Sequence, residues 1–537
     1  MSRISPLRAA LLGGIALAVA PAFAQQAHDH AQTGTPPAPA ALGEVTFPVT
    51  CTPEAQAAFN DAMKLQHSFW YQAAGEAFRR VRERDPNCVM AYWGEALTKL
   101  INPFTPPTQA NLTAAHALME EARRLGARSE REAGFIEALS VLFAADDLQG
   151  HRARWAQYAQ AMERLHSRFP GDSEVGIFYA LSLVVTAAPT DKTYANQLRA
   201  GEILAREFVR QPQHPGVAHY LIHTYDTPAL AARGVPAAER YAGIAPDSPH
   251  ALHMPSHIFT RVGRWDDSIA TNLRSAEVAR AREETFDEVH ALDYIVYAYL
   301  QTGRPQAAQL VVSELRRFDS WRAPTPIGYY ALAAMPARNA LERGAWDEAA
   351  SLPTRRFGAP FVDAVTFFAR ASGAARAGRP DAAETDLAAL REAAAALQGR
   401  DPYWHEQVEI QRVAAEGWIA FARGQRDEGL AKLREAAERE GRTDKHPVTP
   451  GPLAPAREQL AEMLWQMERF AEAQRDFEAV QQTEPRRLRA VAGAMRAAER
   501  AGDGDAAKRH AALLVALTVQ ADTASPDVER ARAIVTR

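Results

Sequence analysis

One spacing recurs along the chain and limits what it can fold into: a small Ala, an aromatic four residues on, and a Pro eight residues later. Ala74, Phe78 and Pro86 fit it, as do Ala237, Tyr241 and Pro249, and Ala473, Phe477 and Pro485. A step of four puts the Ala and the aromatic on one helix face. The Ala lets a neighbouring helix approach, the aromatic fills the gap beside it, and the Pro starts the next helix. Glycines supply a second punctuation. Gly263, Gly303, Gly344, Gly378 and Gly424 each end one helical pattern and open another, at spacings of 40, 41, 34 and 46 residues. Gly just past a helix end takes the left-handed conformation without a Cβ clash. At 537 residues the chain is too long for one compact core, and repeats of this size stack so that each buries its apolar face on the next. Aromatics are only 8% of residues and no credible run of strands occurs, so the expected fold is an all-α solenoid of helical hairpins.

The ends of the chain add a location. A short basic start, Met1 to Arg8, precedes an apolar stretch from Ala9 to Ala20, and Ala22-Phe23-Ala24 fits the small-x-small cleavage rule. Residues 1–24 are therefore expected to be a signal peptide, with a soluble periplasmic or secreted product and no integral membrane segment after its removal. Losing Arg3 and Arg8 takes the formal net charge from −4 to −6, and no basic block remains to support nucleic-acid binding. Residues 25–44 read as a disordered tether and 45–212 as an N-terminal helical region, poorly framed beyond about 105. His-rich repeats follow at 213–345, further repeats at 346–440, a Pro- and Gly-rich loop at 441–455, and C-terminal repeats at 456–537. The only cysteines, Cys51 and Cys88, are either a disulfide, as an exported chain allows, or two buried thiols.

The middle of the chain is unusual. Seven of the sixteen histidines lie between His214 and His290. His219 and His223 are four apart with Asp226 three further on. His250, His253 and His257 step by three and four, and so do His290, Asp293 and Tyr297. Each set makes one stripe on one helix face. Aligning the repeats on Gly263 and Gly303 puts His250 on His290, His253 on Asp293 and His257 on Tyr297. His219 and His223 precede His253 and His257 by 34 residues, one repeat length. The stripes should meet in one wall. Ser248-Pro249 reads as a helix start, so Pro255 falls inside that helix and should kink it between His253 and His257. Imidazoles four apart can share a metal ion, with His219, His223, His253 and His257 as ligands and Asp226, Asp247 and Asp293 as ligands or their supports. A polar groove for a peptide is the plainer alternative. The zinc-protease pattern HExxH is absent, because Tyr220 and Met254 stand where its Glu is needed. His67 ends the first helix of the first repeat and either faces the groove or is structural.

The chain resembles a family of exported bacterial tetratricopeptide-repeat proteins. The resemblance rests on His67-Ser-Phe69 with Ala91-Tyr-Trp93-Gly94, on His214-Pro-Gly-Val-Ala-His219-Tyr-Leu-Ile-His223, and on His253-Met-Pro-Ser-His257-Ile with Arg261 and Gly263. It spans residues 50 to 305 and implies a helical solenoid outside the cytoplasm, with no activity attached. In such domains the stripe positions face the concave groove. The leading expectation is a scaffold holding a peptide or protein partner against His219, His223, His250, His253, His257, Arg261, His290, Asp293 and Tyr297. The rival is a metal-binding protein or metalloenzyme using the same histidines for Zn or Cu. A purely structural subunit would leave them dispensable.

Overall fold

The computed structural model describes residues 41–145, 147, 148 and 150–536, and all regular elements among them are helices. The expected signal peptide and most of the expected tether lie outside the described residues. The tether's last residues do not: Leu42 is buried, Ala41 N–H donates to Asp247 at 2.7 Å, and Glu44 N–H donates to the Gln213 carbonyl at 2.9 Å. An apolar side chain with a hydrophobic site to fill stays packed, so the folded region starts before the sequence boundary of 44.

Successive helices pack on one another from Pro53–His67 to Pro526–Val535, giving a tetratricopeptide-type helical solenoid. The five marked glycines all adopt positive φ, between 66° and 85°. The aromatic of the repeat pattern packs where intended. A Cβ on Gly94 would lie 2.4 Å from the Phe78 ring, and one on Gly493 would lie 2.5 Å from Phe477. The third match is out of register. The next helix begins eleven residues after Phe78 and Phe477, at Val89 and Leu488, but eight after Tyr241, at Pro249. Three residues is nearly one turn, so Tyr241 still points inward but stacks on His219, with centroids 5.2 Å apart. Pro86 and Pro485 accordingly sit in the turns rather than starting helices. Ser248 does cap the helix at Pro249, accepting from Ala251 N–H, and that helix breaks at Met254 into Pro249–His253 and Pro255–Arg261. Cys51 and Cys88 are joined by a disulfide, tying the start of the first helix to the turn before the third. No helix among the described residues is long and apolar enough to cross a membrane.

The array closes on itself. Trp265, Ile269, Tyr297 and Ala298 share one apolar cluster with Val491, Met495, Leu514 and Ile534. Trp265 Nε1 donates to the Arg486 carbonyl at 3.0 Å, and Asp522 accepts from the free N–H groups of Gln306 and Ala307. The C-terminal repeats thus return to the glycine turns at 263 and 303. The loop expected at 441–455 runs from 442 to 455, because Gly441 still belongs to the helix Arg426–Gly441, and it passes through the interior of the closed turn before Ala456–Gln466. Asp444 N–H donates to the Pro189 carbonyl at 2.9 Å, Lys445 reaches Asp226 at 3.1 Å, and the Pro447 and Thr449 carbonyls each accept from the Tyr294 hydroxyl at 3.3 Å.

Candidate metal centre

Three consecutive inward helices carry the histidines: Pro215–Tyr225, the broken pair Pro249–His253 and Pro255–Arg261, and Thr285–Gln301. Their side chains form two triads. One ring nitrogen from each of His219, His223 and His250 lies within 4.8 Å of the others, and the same holds for His253, His257 and His290. The four histidines expected to share an ion are therefore divided, two to each triad, with His250 and His290 completing them.

Hydrogen bonds fix which nitrogens are free. His253 Nδ1 lies 2.6 Å from Asn272 Oδ1, and Asn272 Nδ2 donates to the Ser268 carbonyl, which orients the amide. His257 Nδ1 lies 2.9 Å from Asp226 Oδ2. Both partners accept, so both Nδ1 atoms carry the proton and both Nε2 atoms present lone pairs. Those two Nε2 atoms face each other at 3.0 Å. In the first triad His219 Nδ1 donates to the His67 carbonyl at 2.7 Å, which aims its Nε2 at His250 Nε2, 3.2 Å away. His223 Nε2 and His290 Nδ1 are buried with no hydrogen-bond partner among the described residues. Two nitrogens on one tetrahedral ion at about 2.0–2.1 Å lie about 3.3 Å apart, so both pairs are spaced to share one.

Desolvation holds His219, His223, His253 and His290 well below the usual imidazole range, and their mutual repulsion lowers them further. His257 is pushed down to about 4 by burial, against the opposing pull of Asp226. Asp226 stays ionised despite burial because Lys445, Arg261 and His257 surround it. Burial in turn pushes Lys445 down to about 8.

The remaining expected residues have other employment. Arg261 binds Asp226 at 2.9 Å, supporting His257 indirectly. Asp293 pairs with Arg338 at 3.3 Å, both fully buried, and Tyr297 accepts from Arg487 at 3.2 Å. Neither joins the histidines, because the 40-residue alignment ignores which neighbour each helix turn faces. Asp247 binds Ala41 instead. Most of the wall is buried, and the loop at 441–455 covers its second half, so it is not the exposed concave surface the sequence suggested. His67 belongs to a third group. Glu174 accepts from His67 Nε2 at 3.1 Å and His214 Nε2 at 3.0 Å, while His67 Nδ1 meets the Tyr220 hydroxyl at 3.0 Å. Every ligand atom there is already bonded, which marks a structural hub.

Asn272, Lys445, Phe69 and Tyr294, whose hydroxyl lies 3.4 Å from His257 Nε2, were not singled out as site residues from the sequence. Phe69 occupies the left-handed slot that later repeats give to Gly, at φ 54°. That conformation costs a non-glycine residue about 1–2 kcal/mol. It places the ring on His223 and His250, with centroids 5.7 Å and 5.6 Å away. An aromatic in a glycine position was the signal available for it.

No protein-family model and no curated protein matches the chain. Among solved structures it is similar to the human IFIT1 dimer with m7Gppp-AAAA, at 11% identity over 80% of this chain and 90% of that one, with a TM-score of 0.37. It is also similar to yeast Tom70, at 13% identity over 90% and 96% of the two chains and a TM-score of 0.27. A third is the APC/C hetero-tetramer Cut9-Hcn1, at 12% identity over 90% and 96%, with a TM-score of 0.30. Likeness at these scores says nothing about the histidine site.

Proposed function

We propose that this helical solenoid is a metal-binding protein, holding transition-metal ions at the two histidine triads inside its closed turn. The observation that carries the reading is the pair His253 and His257, whose Nε2 lone pairs face each other at 3.0 Å. Two acceptors at that distance repel, and a proton between them would place a charge where burial opposes it. A metal ion removes the conflict. Imidazoles without thiolates suit Zn or Cu, and three protein ligands leave a position for a small oxygen ligand. A peptide laid along the same wall is less well supported, since it would have to displace the protein's own loop. An extracytoplasmic setting, within an exported bacterial tetratricopeptide-repeat family, belongs to the same reading and is supported by the Cys51–Cys88 disulfide.

The test is metal content by elemental analysis of untagged protein after loading with Zn(II) or Cu(II) and desalting. Two ions per chain are expected, and fewer than one in the His219→Ala, His223→Ala, His253→Ala, His257→Ala variant. Equal metal in both, or none in the parent, would defeat the reading.

A further inference from the structure

Resting on the triads as metal sites, we propose that they form one dinuclear centre, its two ions bridged by a single small oxygen anion, hydroxide in the resting protein. The triads adjoin. His250 of the first and His253 of the second lie one turn apart on the same helix, with ring centroids 6.1 Å apart, and His223 lies 5.9 Å from His257. The triads are therefore ring neighbours, as the ligands of paired metal ions about 3.5–4 Å apart must be.

Charge favours the bridge. Imidazole ligands bring none, so two divalent ions would put four positive charges into a buried space, and one hydroxide lowers that to three. The nearby carboxylates are committed elsewhere: Asp226 to His257, Arg261 and Lys445, and Asp293 to Arg338. Asp287 approaches only the far nitrogen of His250, at 3.6 Å. Uncompensated buried charge is costly, so an anion must come from solvent. A water molecule bound between the ions loses one proton to bulk solvent and stays as hydroxide, a step that metal coordination brings to neutral pH. The walls keep that anion small. Phe69 stacks on His223 and His250, Phe104 lies 4.7 Å from His223, and Phe286 stacks on His290 at 5.7 Å. The one position that three histidines leave on each ion would be filled by this shared bridge, and exchange of the hydroxide there gives a site for a small oxygen-donor ligand, beyond holding metal.

Spin counting on the Cu(II)-loaded full chain tests this. With two Cu(II) per chain by elemental analysis, the expected paramagnetic resonance intensity falls to less than half of two spins, because the bridge couples them. Loading one equivalent of Cu(II) and then one of Zn(II) needs no variant, and should restore close to one spin per copper. Two copper ions giving two full, independent spins would overturn the bridged centre while leaving both triads as metal sites. Failure of the parent to bind copper or zinc at all would overturn the metal reading itself.

Discussion

His253 and His257 owe their chemistry to the groups behind them. Asn272 and Asp226 hold both rings in the tautomer that exposes Nε2, and Arg261 and Lys445 keep Asp226 charged. Removing such a support costs about 10–100-fold in metal affinity. Asp226→Asn should therefore weaken binding at the second triad by that factor and leave the first near its parent value, measured by calorimetric titration with Zn(II). Equal weakening at both would mean that Asp226 acts through the fold. The same burial sets a pH dependence. Below the ordinary imidazole range near pH 6.5, the unfolded chain takes up protons that the buried rings refuse, so the metal-free protein loses stability as pH falls toward about 4, the value for His257. Each such histidine contributes up to about 1.4 kcal/mol per pH unit in that window. Glu440, pushed up to about 7, and the raised Glu284, Asp293, Asp363, Glu458 and Glu484 work the other way, but they are six carboxyls against nine lowered histidines. Thermal melts of metal-free protein should show a lower Tm at pH 5 than at pH 7, and a flat or rising Tm would contradict the neutral, buried triads.

The repeat is built from close helix approaches, and these were largely legible. Ala74 with Phe78 and Ala473 with Phe477 pack as their spacing demands, each aromatic against a glycine sixteen residues on. Gly94→Ala should cost about 1–3 kcal/mol, since the added methyl would overlap the Phe78 ring. Urea denaturation checks it, and an unchanged midpoint would show that the helices shift freely. The Ser248-Pro249 cap and the break before Pro255 were readable because caps and prolines act locally. The Tyr241 match was not, because a pattern of identities does not see a helix that starts three residues early. Individual histidine stripes were visible for the reason that any helix face is. Their division into triads was not, since ring partners on neighbouring helices depend on how far each helix has turned. Asn272 and Tyr294 carry no local signal: each is an ordinary inward residue until its neighbour proves to be a histidine.

Closure of the array was invisible in the sequence. The contacts that make it join residues about 200 positions apart, such as Trp265 with Arg486 and Gly303 with Asp522, and each looks like an ordinary turn or cap on its own. The loop at 441–455 was recognisable as a loop from its prolines and glycines, yet its role as the lining of the interior depends on where the solenoid brings it. At the scale of the molecule, then, the histidine wall is enclosed: the first helix supplies the His67 carbonyl, the middle repeats supply six imidazoles, and the loop supplies Lys445. The enclosed wall is expected to hold two ions. Crystals of the zinc-loaded protein, with data collected on either side of the zinc absorption edge, should show two anomalous peaks, one among His219, His223 and His250 and the other among His253, His257 and His290. Peaks only at the His67, Glu174 and His214 hub or on the surface, with none at either triad, would contradict it.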